Sequence, residues 1–535
     1  MDHRLLPSRP TLIFLLLTAI GAGRIAATWR TVAQTSDETP NIGCGMQYLD
    51  LGRYDYGAFH PPLARLAIAV GPYLYGARSQ KQPDRWKEGN AVLNSAPRYT
   101  KALTLARAGI LPFFVLASTV AWLWGRRLLG EWGALAPVFL FTNIPPVLAH
   151  AGVATMDMAV GAGICTALYA FYLWLEEPTP LHSVALGVGL ALALLSKFSS
   201  FLLLPACMLT MCLLVAKWRR RNWLWVPIAF VLIWGTYRFS FGPMTEHVAR
   251  DAADQGGAWA RMPQALLHFV ETVPVPAPQV LDGLWQVHNH VDAGHTAYLL
   301  GRHSFHGWWY FFPVALAAKT PIAVLLLGAL GVFAAFRQKN RGLWIPPAMA
   351  GVMLLVNLPT SLNIGVRYML PLFPMLALTG GTGAVWLWER ARWAVVILLA
   401  WIAISAGLAH PDYLAYFNEF AGASPERILV DSDLDWGQDM GRLAAELRRR
   451  NVQYIHLACL YTGDDTRLGL PAWDSLEPYQ PVTGWVAVSQ TMLKNYGWMV
   501  AQQRGRGDLA FAWLDRYQPV ARIGKSILLY NIPAN

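Results

Sequence analysis

Long runs of Leu, Ile, Val, Ala, Phe and Trp alternate along this chain with short polar segments. A helix crosses the ~30 Å hydrocarbon core of a bilayer with roughly 20 apolar residues. Eleven runs approach that length: 11–29, 102–124, 133–150, 157–175, 182–196, 198–216, 223–241, 308–334, 343–360, 368–388 and 393–409. The fifth is short, and only Ser196–Lys197 separates it from the sixth. The first follows Arg4 and Arg9 as a signal peptide would, but the many later runs favour an uncleaved first helix.

Basic residues in the short loops set the orientation. With the N-terminus inside, the inner segments collect Arg4, Arg9, Arg126, Arg127, Lys217, Arg219, Arg220, Arg221, Arg337, Lys339, Arg341, Arg390 and Arg392. The inner loop Glu176–His182 carries none, and the outer turns near His150 and Lys197 are almost uncharged. Three long segments then fall outside: 30–100, 242–307 and the tail from His410. In the tail, Arg427–Val430, Tyr454–Leu460, Trp485–Ser489 and Ile527–Tyr530 read as strands and Met440–Arg450 as a helix. The expectation is a multi-span α-helical membrane protein of about 11 transmembrane helices over 1–409. A small outward-facing soluble α/β domain over 410–535 completes it.

Composition agrees. Charged residues are 14% of the 535, against roughly 25% in soluble domains, and mean hydropathy is +0.33. Disorder needs the opposite balance. The net charge of +11 is explained by the inner loops, so no nucleic-acid partner is expected. The five Cys are scattered without CxxC or zinc spacing, which suggests neither a disulfide framework nor a structural zinc site.

Candidate chemistry gathers on the outer face. Asp37-Glu38 lies just past the first run, where it fits solvated loop charge as well as a site. Phe59-His60-Pro61-Pro62-Leu63 follows, with Pro suited to the first turn of an interfacial helix over Leu63–Tyr75. Asp157 opens the fourth run, as a helix cap or as an intramembrane functional carboxylate. At similar depth Asp37 and Asp157 could share a divalent metal ion or divide the roles of base and orienting group. Lys197 and Arg367 lie at outer ends of spans, and Arg107 about one turn inside the second. Each could snorkel, but together they suit an anionic ligand, phosphate above all.

The ordered set resembles the integral-membrane GT-C glycosyltransferases. It comprises Asp37-Glu38, the Pro-Pro-Leu helix, Thr155-Met156-Asp157-Met158, Ser196-Lys197-Phe198-Ser199 and Asn363-Ile364-Gly365-Val366-Arg367-Tyr368. The likeness is to the family 39 type, the protein O-mannosyltransferase and lipid A aminoarabinose transferase group, and covers roughly 1–410. Gly307–Pro313, Lys319-Thr320-Pro321 and Asp431–Asp439 look like segments of bacterial members. The resemblance implies an inverting transfer of a sugar from a polyprenyl-phosphate donor to a glycan, lipid or protein acceptor, at the outer, periplasmic face of a bacterial inner membrane. It implies Asp37 as base, with Glu38 beside it, and Asp157 holding the site or a metal. The chain departs from the aminoarabinose transferases at His60-Pro61-Pro62, where they carry Glu-Lys-Pro, so those Glu and Lys roles do not transfer. No MIR-type domain is visible.

Other signals weigh less. The loop holding His288, His290, His295, His303 and His306 lacks a helical ligand pair; with His60, His303 and His306 are expected to shape a donor or acceptor cavity. Asp433-Leu434-Asp435 mimics the Asp-x-Asp of soluble nucleotide-sugar transferases but reads as a turn after a strand. The competing class is a polytopic transporter or flippase for a lipid-linked saccharide. It would favour charges deep in spans, broken helix pairs and internal repeats. No repeat is seen here, and the acidic groups sit at one surface.

Overall fold

The first apolar run folds as Arg9–Thr28 (α1), with Pro10 in the first turn, where a missing amide hydrogen does no harm. The computed structural model describes residues 7–57, 59–215, 222–244, 268–269 and 272–534. Arg4, Lys217 and Arg219–Arg221 of the expected inner segments lie outside the described residues, as do 245–267 of the second outer segment. Segment 30–100, expected outside, holds Glu38–Met46 (α2), Pro62–Leu74 (α3) and Arg85–Ser95 (α4). α3 starts on Pro62, as the interfacial helix requires.

Tyr99–Ala108 (α5) and Leu111–Gly133 (α6) follow, then Leu135–Phe141 (α7) and Pro145–Ala151 (α8). The expected span 133–150 is thus two seven-residue helices. The break precedes Pro145-Pro146, because proline disfavours helical geometry in the residue before it. Asp157–Glu176 (α9) and Pro180–Leu194 (α10) pack side by side. Gly163 and Gly189 permit the approach: a Cβ on Gly163 would stand 2.7 Å from the Ala193 backbone, and one on Gly189 2.8 Å from that of Ala167. Ser200–Val215 (α11) and Trp225–Thr236 (α12) complete this half, with Lys197 in the break between α10 and α11.

Helices Phe311–Lys319 and Ile322–Arg337 meet at 114° across Thr320-Pro321, so the expected span 308–334 is bent. Ile345–Asn357, Leu372–Trp388 and Arg392–Leu408 follow. Among the described residues every expected span is helical, but only Arg9–Thr28, Tyr99–Gly133 and Asp157–Glu176 are individually long and apolar enough to cross a bilayer.

Short pairs Phe241–Pro243 (β1) with Pro274–Pro276 (β2), and Ala297–Leu299 (β3) with Arg302–Ser304 (β4), lie in the second outer segment. The tail forms a five-stranded sheet of order β6-β5-β7-β9-β8. Its strands are Tyr454–Ala458 (β5), Ala472–Ser475 (β6), Gly484–Ser489 (β7), Ala521–Ile523 (β8) and Ile527–Ile532 (β9). β5 runs parallel to β6 and β7, while β9 is antiparallel to β7 and β8. Helix Met440–Arg449 covers one face through Leu443 and Leu447 against Ile455, Ala487 and Leu529. Val500 and Phe511 cover the other against Val486 and Val488. That alternation of Val486, Ala487 and Val488 is the two-residue period of a strand buried on both faces. Arg427–Val430 is not the expected strand. Pro425–Arg427 forms a single 3-10 turn, and Val430 packs with Tyr298 and Leu434 beside the β3–β4 hairpin.

Candidate active site

Asp37 stands immediately before α2, with its carboxylate 41% exposed. Its Oδ2 lies 2.5 Å from Arg367 Nη1, and the Arg367 side chain is 11% exposed. Arg367 belongs to the 3-10 turn Val366–Met369, ahead of helix Leu372–Trp388. Its guanidinium carbon sits 4.5 Å from the Trp436 ring centre. Asp157, the first residue of α9, is buried, and its Oδ1 accepts from Lys197 Nζ at 2.7 Å. Lys197 Nζ also lies 4.2 Å from the ring centre of Tyr368. Two ion pairs of different character therefore stand close together. One carboxylate is open and the other enclosed, and two neighbouring residues reach one pair each: Arg367 belongs to the Asp37 pair, and the Tyr368 ring faces the Lys197 ammonium of the other.

Glu38 and Arg107, both expected at the chemistry, have another role in this geometry. Both are fully buried. Glu38 Oε1 accepts from Arg107 Nε at 2.7 Å and from the Ala154 amide at 2.8 Å. Its Oε2 accepts from Arg107 Nη2 and from the Thr35 amide, each at 2.8 Å. Arg107 also donates to the Val32 and Ala33 carbonyls. This closed network ties the start of the first outer segment to α5 and to the turn before α9. It holds Asp37 in place and leaves Arg107 no free fork for a phosphate.

His60 is brought to the site. Leu63 N–H donates to Leu195 O, which sets the start of α3 against the α10–α11 break that carries Lys197. Burial, and then the charges of Arg65, Lys197, Arg85 and Arg367, hold the His60 imidazole well below its ordinary pKa, so it is neutral. His60 Nδ1 and Arg85 Nε are buried without a hydrogen-bond partner among the described residues. His303 and His306 are placed differently from the expected cavity. The His303 ring stacks on Trp498, 5.1 Å between centres, and His306 is exposed. His288 and His290 lie on helix Pro278–Ala293.

The donor set does not fit a divalent ion. Each carboxylate already faces a cation, and no group of three His, Cys, Asp or Glu gathers among the described residues.

Two residues at the site were not singled out from sequence. His150, 2% exposed at the end of α8, lies 6.0 Å from the Trp436 ring centre to centre. An ionisable side chain ending an apolar run was signal enough to find it. Trp436 had no such signal, because its partners come from segments some 70 and 400 positions earlier in the chain.

A model of the dolichyl-phosphate-mannose-protein mannosyltransferase family matches residues 106–246, the stretch that holds Arg107, His150, Asp157 and Lys197. The structure is similar to that of ArnT from Cupriavidus metallidurans in the apo state, with a TM-score of 0.51 at 12% identity over 98% of each chain. It is also similar to the apo oligosaccharyltransferase of Archaeoglobus fulgidus, with a TM-score of 0.51 at 12% identity over 97% of this chain and 73% of that one. This chain has the GT-C fold. No curated protein matches it in sequence. Within the GT-C fold, Asp37 and Arg367 lie outside the family-matched stretch, and the structure joins them to it through Glu38, Arg107 and the Asp157–Lys197 neighbourhood.

Proposed function

We propose that this protein transfers a sugar from a polyprenyl-phosphate-linked donor to an acceptor hydroxyl, with inversion, at the outer face of the membrane. The observation that carries the reading is the exposed Asp37 carboxylate held by Arg367 beside the buried Asp157–Lys197 pair, on a GT-C fold. The matched family's description names a dolichyl-phosphate sugar, which is a donor of this chemical class.

The proposed step needs two things at one place. The acceptor oxygen forms a bond to the anomeric carbon as the bond from that carbon to the phosphate oxygen breaks. The bonding pair leaves on the phosphate, which gains a negative charge. Arg367 and Lys197 stabilise that charge. The acceptor hydroxyl proton passes to Asp37, a carboxylate open enough to meet it. As the phosphate charge grows, Arg367 turns toward it and releases Asp37 Oδ2 to take the proton. Asp157, enclosed by Lys197, keeps that ammonium charged and aimed.

Sidedness supports the reading. The helix α9 has 20 residues, about 30 Å at 1.5 Å per residue, close to the bilayer core. Asp157 starts it, and Glu176 ends it in a pair with Arg127. Arg126 and Arg127 therefore mark the end opposite the site, which the basic excess assigns to the cytoplasm. The tail sheet then lies outside, on the side of Asp37, as an outward α/β domain. The test is to incubate the purified protein with a panel of labelled polyprenyl-phosphate sugars and follow release of free polyprenyl phosphate. Release that depends on an added acceptor supports a transferase. Movement of intact donor across vesicles without release would favour a flippase.

A further inference from the structure

The acidic segment Asp431–Asp439 has no part in the chemistry above, yet it is buried against the site. Ser432, Asp433, Asp435, Trp436, Gln438 and Asp439 are all buried. Ser432 Oγ donates to Ile364 O at 2.6 Å, and the Asp433 carboxylate accepts the Val366 amide at 3.1 Å. The turn thus grips both neighbours of Gly365. At Gly365 φ is +110°, and a Cβ would stand 2.6 Å from Ser432 Oγ, so only glycine lets the two strands of chain meet. Lys319 Nζ fixes the grip from behind through the Asp433 and Leu414 carbonyls.

Trp436 finishes the arrangement. Its carbonyl accepts the Ser36 amide at 2.9 Å and the Ser36 hydroxyl at 3.3 Å, immediately before Asp37. Its ring lies against the Arg367 guanidinium at 4.5 Å. One residue of the tail therefore holds both members of the Asp37–Arg367 pair, one through backbone and one through the ring face. We infer that Trp436 is a positioning residue that sets the Asp37–Arg367 geometry, which makes the tail a part of the site and not an appendage. The inference rests on the transferase reading for its consequence in turnover, but not for its geometry.

The test uses the full-length protein in detergent micelles. The rate of Arg367 modification by phenylglyoxal is read by peptide mass spectrometry in wild type, Trp436→Leu and Trp436→Phe, with Arg390 at the far end of the spans as internal reference. Arg367 in Trp436→Leu should react about fivefold faster, the weight of one cation–π contact, with Arg390 unchanged. Trp436→Phe, which keeps an aromatic face, should return the rate toward wild type. The KM for a polyprenyl-phosphate sugar should rise severalfold in Trp436→Leu; loss of folded protein alone would lower the maximal rate and leave KM in place. If Trp436→Leu does not accumulate, Trp436→Met fills the same core and removes the π face. Wild-type labelling of Arg367 in the Leu or Met variant would overturn the inference whatever the kinetics. If wild type itself transfers no sugar, the transferase reading fails while the labelling still decides the role of Trp436.

Discussion

Asp37 and Glu38 are adjacent carboxylates with opposite expected phenotypes. Consider Glu38→Gln. The wild-type carboxylate receives four donors, two on each oxygen, from Arg107 Nε and Nη2 and from the Ala154 and Thr35 amides. An amide keeps one acceptor oxygen and turns its NH2 against two donors. It also leaves the Arg107 guanidinium buried without a counter-charge. Breaking a buried pair by removing one partner costs about 3–5 kcal/mol. Against a total stability of about 5–15 kcal/mol this is a large share. Glu38→Gln should therefore lower the apparent Tm of the purified protein by several degrees and its yield from membranes. The double variant Glu38→Leu, Arg107→Met removes both charges and should recover part of the loss, since well-packed apolar replacements of buried ion pairs are often tolerated. A Glu38→Gln protein with wild-type Tm and abolished turnover would refute the reasoning and return Glu38 to the chemistry.

The other pairs behave according to their exposure. Arg367→Gln leaves only the exposed Asp37 without its partner, so the protein should fold and bind a polyprenyl-phosphate analogue at least tenfold more weakly, the weight of one charged hydrogen bond; unchanged affinity in a binding titration would remove Arg367 from the phosphate site. Lys197→Met strands the buried Asp157 and should destabilise, whereas Lys197→Met with Asp157→Asn should fold and still bind donor weakly; equal Tm values for the single and double variants would contradict this. Burial pushes the Asp435 carboxyl up to about 6 from 3.8, so about 3 kcal/mol of stability is lost as pH rises between those values. Asp435→Asn should accordingly raise Tm at pH 7.5 and not at pH 4; a gain at both would point to another cause. Chelation of divalent cations should leave transfer unchanged, and loss of turnover restored by added metal would show a ligand set beyond the two paired carboxylates.

The site was legible in the sequence as far as membrane sidedness reaches. Placing Asp37, Asp157, Lys197 and Arg367 at one face needs only span boundaries and basic loops, and the structure does bring them together in two pairs. Sidedness does not choose partners. Arg107 reads from the sequence at a depth like that of Lys197, but it lies on α5 opposite Glu38, and only tertiary packing decides that it closes on a carboxylate. The tail helix and the strands at 454, 484 and 527 follow from periodicity because they pair within one sheet. Arg427–Val430 has the same apolar look, but its Leu429 and Val430 are buried between the β3–β4 hairpin and the helical body, with no strand to pair with. Asp431–Asp439 reads as a solvated turn because acidic residues are ordinarily exposed. Here backbone amides reach the Asp433 and Asp435 carboxylates, and Ser526 and Arg442 reach that of Asp439, in the interior, which a local reading of the segment does not reveal.

The central claim is that Asp37 takes the acceptor proton in a sugar transfer. Its most direct test compares wild type and Asp37→Asn, purified and reconstituted, for release of polyprenyl phosphate from a labelled polyprenyl-phosphate sugar in the presence of acceptor. The Asp37 side chain is 41% exposed, and an Asn there keeps an oxygen that can accept from Arg367 Nη1, so the variant should fold and bind donor. Its turnover should fall by about 10²-fold or more, the size of a general-base contribution. Turnover within a few-fold of wild type would contradict the account.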